Sequence, residues 1–353
     1  MPGASLSENR ERRPKPVIFG CAGTSLTATE RNLFKNADPF GFILFKRNCE
    51  SPDQVRYLIL ELQQAVGRDE VEIAIDQEGG RVSRLQPPQW PKYPPARAFG
   101  MMYEREPEWG IEAIKLYGKV LSYELVKLGI TINCAPVVDL FNPEGTPALG
   151  DRAFSANPSI VAALARALAE TFLSNGVLPV VKHLPGHGRL KTDPHNVLPI
   201  IDAPRAELEG QDFMPFELLK DLPLGMNSHA IFTAFDSKNP ASLSPTITND
   251  VIRGRLGFDG LLLSDDLTMK ALKGTPDELA MRALEAGADI ALHCNGDIIE
   301  MGMLASALEP MKDDSWARWT HAKAMVTPID PAYGPAEDAE RLDVLLGGLA
   351  FEG

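Results

Sequence analysis

Short apolar runs punctuate the chain at roughly regular intervals. They begin near Val17 (VIFGC), Phe42 (FILF), Val71 (VEIAID), Ile130 (ITINCAPVV), Val177 (VLPVVK), Leu224 (LGMNSHA), Leu261 (LLLSD) and Ile290 (IALH). Most are too short for helices and end in a polar residue, the pattern of parallel strands buried on both faces. Between them the period changes. Val161, Leu164, Ala165, Leu168 and Phe172 share one face at helical spacing, which predicts a helix over 159–174. A second helix is predicted over 111–127, stopped by Gly129, and a third over 276–286, stopped by Gly287. Eight strands joined by crossover helices predict an α/β protein built as a single (β/α)8 TIM-type barrel; an open doubly wound sheet is the competing arrangement.

The same pattern sets the expected boundaries. Residues 1–15 are polar and rich in Pro and Arg, and are read as a flexible N-terminal arm. Residues 16–325 form the barrel, with the Pro/Trp/Tyr segment PPQWPKYPP as an excursion at its rim. Residues 326–353 open with VTPIDPAYGP and continue as an amphipathic stretch, a C-terminal extension that packs on the barrel or on a partner chain. No Ser/Gly-rich linker or internal repeat interrupts this organisation.

Charge and cysteine content narrow the function. Forty-eight acidic against 35 basic side chains give a net charge of −13, which repels phosphate backbones and makes nucleic acid a poor partner. The four cysteines are scattered without a CxxC pair, and Cys21, Cys134 and Cys294 lie in or beside apolar runs, as small buried thiols do. The N-terminus has no apolar h-region and no window holds 18 uninterrupted apolar residues, so neither secretion nor a membrane span is expected. The cytoplasm is the expected compartment.

Chemistry in such barrels gathers at the carboxyl ends of the strands. Those ends read Asp76-Gln77-Glu78-Gly79-Gly80-Arg81, Lys182-His183-Leu184-Pro185-Gly186-His187-Gly188, Asn227-Ser228-His229, Ser264-Asp265-Asp266 and His293. So many ionisable groups at equivalent positions point to one convergent site. After three leucines, Asp265 or Asp266 is fixed and partly desolvated, as a nucleophile requires; Ser264 or either Asp could equally cap the next helix. Alternation along a strand aims the two carboxylates differently, so one could cap while the other reacts. In Asp193-Pro194-His195 the first and third residues point the same way, and Asp193 could orient the imidazole of His195 as an acid/base; the competing reading is a surface turn. His183, His187, His195 and Asp193 could also ligate zinc, but no HExxH pattern is present and two of the histidines sit in a Gly/Pro-rich loop, so no metal and no cofactor is expected.

Taken together, IDQEGGRVSRL (75–85), GITINCAPVVDL (129–140), GDRAF (150–154), KHLPGHG (182–188), the DPH that follows and SDDLTMKA (264–271) resemble glycoside hydrolase family 3, in particular its small bacterial β-N-acetylhexosaminidases. The likeness runs from about Val17 to Leu308. It implies that Asp265 is the nucleophile and that His195, paired with Asp193, is the acid/base. It further implies that Asp76, Arg84, Arg152, Lys182 and His183 bind the sugar, while Glu78, Arg81 and His187 support the loops; His229 stays open. One departure is visible: the family usually carries Ser where this chain has Pro194, which places the movement of that loop in question. The expected reaction is removal of terminal β-linked N-acetylglucosamine through a covalent glycosyl-enzyme. N-acetylglucosamine-containing muropeptides are the expected substrates, and a monomer or weak dimer the expected state. The rival readings are a β-glucosidase, a phosphorylase, substrate-assisted or metal-dependent hydrolysis, and a catalytically silent sugar-binding barrel.

Overall fold

A computed structural model describes residues 13–68, 70–192 and 197–347. Eight parallel strands close into a barrel: β1 Lys15–Gly20, β2 Pro39–Leu44, β3 Glu72–Ile75, β4 Ile132–Asn133, β5 Leu178–Leu184, β6 Leu224–Asn227, β7 Leu261–Asp266 and β8 Ile290–His293. Neighbours pair in sequence order, and closure comes from β1 against β8 through Val17↔Ala291, Ile18↔Leu292 and Phe19↔His293. All six residues of β2 and all seven of β5 are buried, which is why β2 and the first half of β5 read as continuous apolar runs rather than alternating ones. The (β/α)8 barrel therefore stands, and the open sheet is excluded by the β1–β8 pairing.

The three predicted helices are present at Pro107–Leu128, Pro158–Leu173 and Pro276–Glu285. Their ends follow local chemistry. Gly129, at φ +88°, takes the left-handed turn that stops the first; Asn157 caps the second; Thr275 and Glu278 form a capping box on the third. The helix Pro107–Leu128 starts earlier than its period suggests because Pro107 suits the first helical position. Two crossovers escape the simple helical pattern. Leu208–Asp212 and Ile247–Arg255 wind as wide π-type turns, for which the sequence carries no periodic signal.

The segment PPQWPKYPP is folded down onto the barrel. Trp90 and Tyr93 are buried, Tyr93 meets Tyr117 edge-on at 5.4 Å, and its carbonyl accepts from the N–H of Gly80. At the other end of the chain, the helix Ala336–Leu346 lies along Pro107–Leu128, with Leu342 buried, Arg341 paired to Glu112 and Lys119 to Asp338. Among the described residues no helix is long and apolar enough to cross a membrane.

Candidate active site

The carboxyl ends of the strands surround a cleft of about 220 Å³, below the roughly 300–1,000 Å³ of drug-sized ligand sites and on the scale of a single small ring. Its polar wall is built first by the turn after β3. Asp76 and Glu78, two residues apart, both face the cleft, while Gln77 turns into the protein and staples the returning chain. The Gln77 side-chain oxygen accepts from the N–H groups of Arg84 (2.8 Å) and Leu85 (3.0 Å). Gly79, at φ +97°, lies where a Cβ would stand 2.2 Å from the carbonyl oxygen of Pro94, so only glycine can make this turn.

That turn feeds a chain of alternating charges. Arg84 donates to Asp76 (3.1 Å); Lys182 contacts Asp76 (2.8 Å) and Glu78 (2.6 Å); Arg152 grips Glu78 with two bonds of 2.8 and 2.9 Å. Burial by itself would raise both carboxyl pKa values, but the adjacent cations outweigh it. Lys182 and Arg84 hold Asp76 well below the usual carboxylate range, and Arg152 and Lys182 bring Glu78 down to about 2. Three cations against two carboxylates leave one positive charge on this wall of the cleft that Asp265 also lines. Arg84 also stacks on the ring of Phe45, 5.0 Å from its centre, which gives the cleft a rigid apolar side.

The two aspartates at the end of β7 are assigned different work. Asp266 closes the turn: its carboxylate accepts from the Thr268 N–H and hydroxyl and from the Cys294 N–H. Asp265, 7% exposed, faces the cleft; its Oδ1 takes the N–H of Asp266 at 2.8 Å, and its own N–H donates to Asn227 at the end of β6. His229, which the sequence left open, bridges the Ser242 hydroxyl and the Asp266 carbonyl, so it props the same turn. Ser264 accepts from the Leu292 N–H and ties β7 to β8.

At the end of β5, Lys182 and His183 both reach the cleft, and the peptide between them is cis. Nδ1 of the His183 imidazole lies 2.7 Å from a carboxylate oxygen of Asp139, and the ring stacks on His187, ring centres 4.3 Å apart. Desolvation brings the His183 pKa down to about 3 and that of His187 well below its ordinary value, so both rings are neutral near pH 7. Asp139, His183 and His187 bring ligand-type atoms within 4.8 Å of one another, a cluster different from the one the sequence suggested. The Asp139–His183 contact is itself a hydrogen bond of normal length, and Asp139 is further occupied by backbone N–H groups.

Of the residues singled out in the sequence, Asp76, Arg84, Arg152, Lys182, His183 and Asp265 come together around one cleft. Asp193 and His195 lie outside the described residues. Arg81 does hold a loop, through Asp151 and the carbonyls of residues 147–149. Glu78 and His187, expected as loop supports, also line the cleft, where Glu78 joins two cations. Asp139 was missed altogether. Its only signal was an acidic residue closing an apolar strand run, and the contacts that matter come from a segment more than forty residues away.

A family model described as the glycosyl hydrolase family 3 N-terminal domain matches residues 19–318. The chain belongs to glycoside hydrolase family 3. Family 3 membership makes it a glycoside hydrolase. A protein named β-hexosaminidase from Nitrosomonas eutropha is 36% identical over 316 residues, covering 88% of this chain and 90% of that one. Among solved structures, NagZ from Neisseria gonorrhoeae in complex with N-trifluoroacetyl-D-glucosamine superposes with a TM-score of 0.85 at 30% identity, covering 95% of this chain and 98% of that one. A family 3 β-N-acetylglucosaminidase from Paenibacillus sp. gives 0.83 at 28% identity, covering 97% of this chain and 69% of that one.

Proposed function

We propose that this family 3 hydrolase is a retaining exo-β-N-acetylglucosaminidase in which Asp265 attacks the anomeric carbon and His195, oriented by Asp193, serves as acid and then base. One observation carries the reading of Asp265. Among the described residues it is the cleft carboxylate not tied into an ion pair or a turn: Asp76 and Glu78 are held ionised by cations, and Asp266 is engaged in the turn by accepting from Thr268 and Cys294. Asp76 and Glu78, held that far down, are poor proton donors near neutrality, which supports a general acid of another kind. A histidine with a pKa near 6.5 meets that need, and Asp193-Pro194-His195 supplies one.

In the first step Asp265 forms an ester with C1 while His195 passes its proton to the departing oxygen. In the second, His195 takes a proton from water, which opens the ester and restores the β-configuration. Lys182, Arg84 and Arg152 present donor-only cations, and Asp76 an acceptor, to the sugar hydroxyls. The relatives named β-hexosaminidase and the NagZ structure bound to an N-acylglucosamine support N-acetylglucosamine as the ring recognised. Muropeptide fragments released in peptidoglycan recycling, met in the cytoplasm, are the physiological substrates of this reading. No metal or cofactor enters it.

Purified protein assayed with aryl β-glycosides of N-acetylglucosamine and of glucose decides the ring. Turnover of the first should dominate; equal or greater turnover of the glucoside would refute the assignment. A mechanism-based fluoro-sugar should add its mass to the peptide carrying Asp265, and turnover without any adduct would favour attack by the acetamido oxygen instead.

A further inference from the structure

Asp139 sits at the centre of an arrangement that the reaction as described does not use. It is 1% exposed, and its two carboxylate oxygens have separate tasks. Oδ1 accepts the backbone N–H groups of His183 (3.3 Å) and His187 (2.5 Å), while Oδ2 faces Nδ1 of His183 at 2.7 Å. His183 lines the cleft, so with Nδ1 turned towards Asp139 the nitrogen left for the cleft is Nε2.

We propose that Asp139 is a positioning residue that fixes His183 as the Nδ1–H tautomer, so that its bare Nε2 accepts a hydrogen bond from a ring hydroxyl of the sugar. This rests on the reading of His183 as a sugar contact. The chemistry follows from the neighbours. Burial raises the Asp139 carboxyl above its usual range, but the two backbone N–H donors on Oδ1 favour its ionised, acceptor form, which leaves the shared proton on the imidazole. Desolvation keeps that imidazole from taking a second proton. Lys182, the preceding residue, can only donate. A hydroxyl set between the two would accept from the Lys182 ammonium and donate to His183 Nε2, satisfying each group once. With the opposite tautomer the same hydroxyl would face two donors, and one hydrogen would be buried without a partner.

Asp139→Asn separates the two tasks of this side chain. Its amide oxygen can keep the two backbone N–H bonds, which places the –NH₂ towards His183 Nδ1; that nitrogen must then accept, and the proton moves to Nε2. The chain has six histidines, few enough for long-range ¹H–¹⁵N spectra of ¹⁵N-histidine-labelled protein, with His183→Gln identifying the signal. In the wild type the proton should sit on Nδ1 and stay there through neutral pH, with Nε2 shifting upfield but remaining unprotonated when N-acetylglucosamine is added. In Asp139→Asn the proton should move to Nε2. Calorimetric affinity for N-acetylglucosamine should fall roughly 5- to 150-fold, the range for one buried unpaired donor. A wild-type His183 protonated on Nε2 would overturn the proposal whether or not the variant folds. So would a variant of unchanged unfolding midpoint that switches tautomer but binds N-acetylglucosamine as tightly as before. If the wild type neither binds nor turns over N-acetylglucosaminides, the functional reading fails instead, and the tautomer spectrum still reports on Asp139 alone.

Discussion

Replacing Glu78 with glutamine removes one charge from the middle of the buried ion-pair chain while keeping the side-chain volume. In the folded protein this carboxylate holds Arg152 by two bonds and Lys182 by one, with a side chain only 5% exposed. Its pKa is brought from 4.5 down to about 2, and at about 1.36 kcal/mol per pH unit this is worth about 3 kcal/mol. The same figure comes from another direction: removing one partner of a buried ion pair typically costs about 3–5 kcal/mol. The sign follows from the depressed value. The contribution is complete above about pH 4.5, where the unfolded chain's glutamate is also ionised, and fades as pH falls towards 2. Urea unfolding of wild type and Glu78→Gln, followed from neutral pH down to about pH 3, should therefore show a gap of about 3 kcal/mol that narrows on the acid side. The other titrating groups are common to the two proteins, so the change in the gap reports the Glu78 charge together with its coupling to Asp76, Lys182 and Arg152. A gap that is near zero at neutral pH, or one that stays constant into acid, would refute the reasoning.

Other outcomes follow from the same geometry. Asp265→Ala should abolish turnover of both natural and aryl substrates while leaving the unfolding midpoint near that of the wild type, because the carboxylate anchors little besides the neighbouring N–H of Asp266; residual activity within tenfold of wild type would remove it from the reaction. His195→Ala should lose roughly 10²–10⁴-fold on natural substrates and distinctly less on a nitrophenyl glycoside, whose leaving group needs no proton. An equal loss on both substrates would count against the acid role. Gly100→Ala should destabilise the protein by at least about 1–3 kcal/mol, since the added methyl would stand 1.7 Å from the Phe154 carbonyl oxygen. Thermal unfolding that matches the wild type would show that the helix Ala96–Arg105 shifts freely there.

Much of this protein was legible along the chain because strand burial and motif order are local properties. A strand covered on both faces is largely apolar, so eight short runs such as FILF and LLLSD announced the barrel, and the polar residues ending most of the runs announced the cleft. The helix stop at Gly129 depends on a few neighbouring residues and was equally readable. Tertiary structure alone decided what depends on partners brought from afar. It separated Asp265 from Asp266 by giving the second Thr268 and the Cys294 N–H from the next strand. It brought Glu78 to the cleft wall by setting Lys182 and Arg152 beside it. It also gave Asp139, inconspicuous in an apolar run, the imidazole of His183 and the backbone beyond it. Hydrophobic pattern records which residues leave water; the partner a buried charge meets is fixed only when distant strand ends close into a ring, and that partner determines whether the charge binds, reacts or supports.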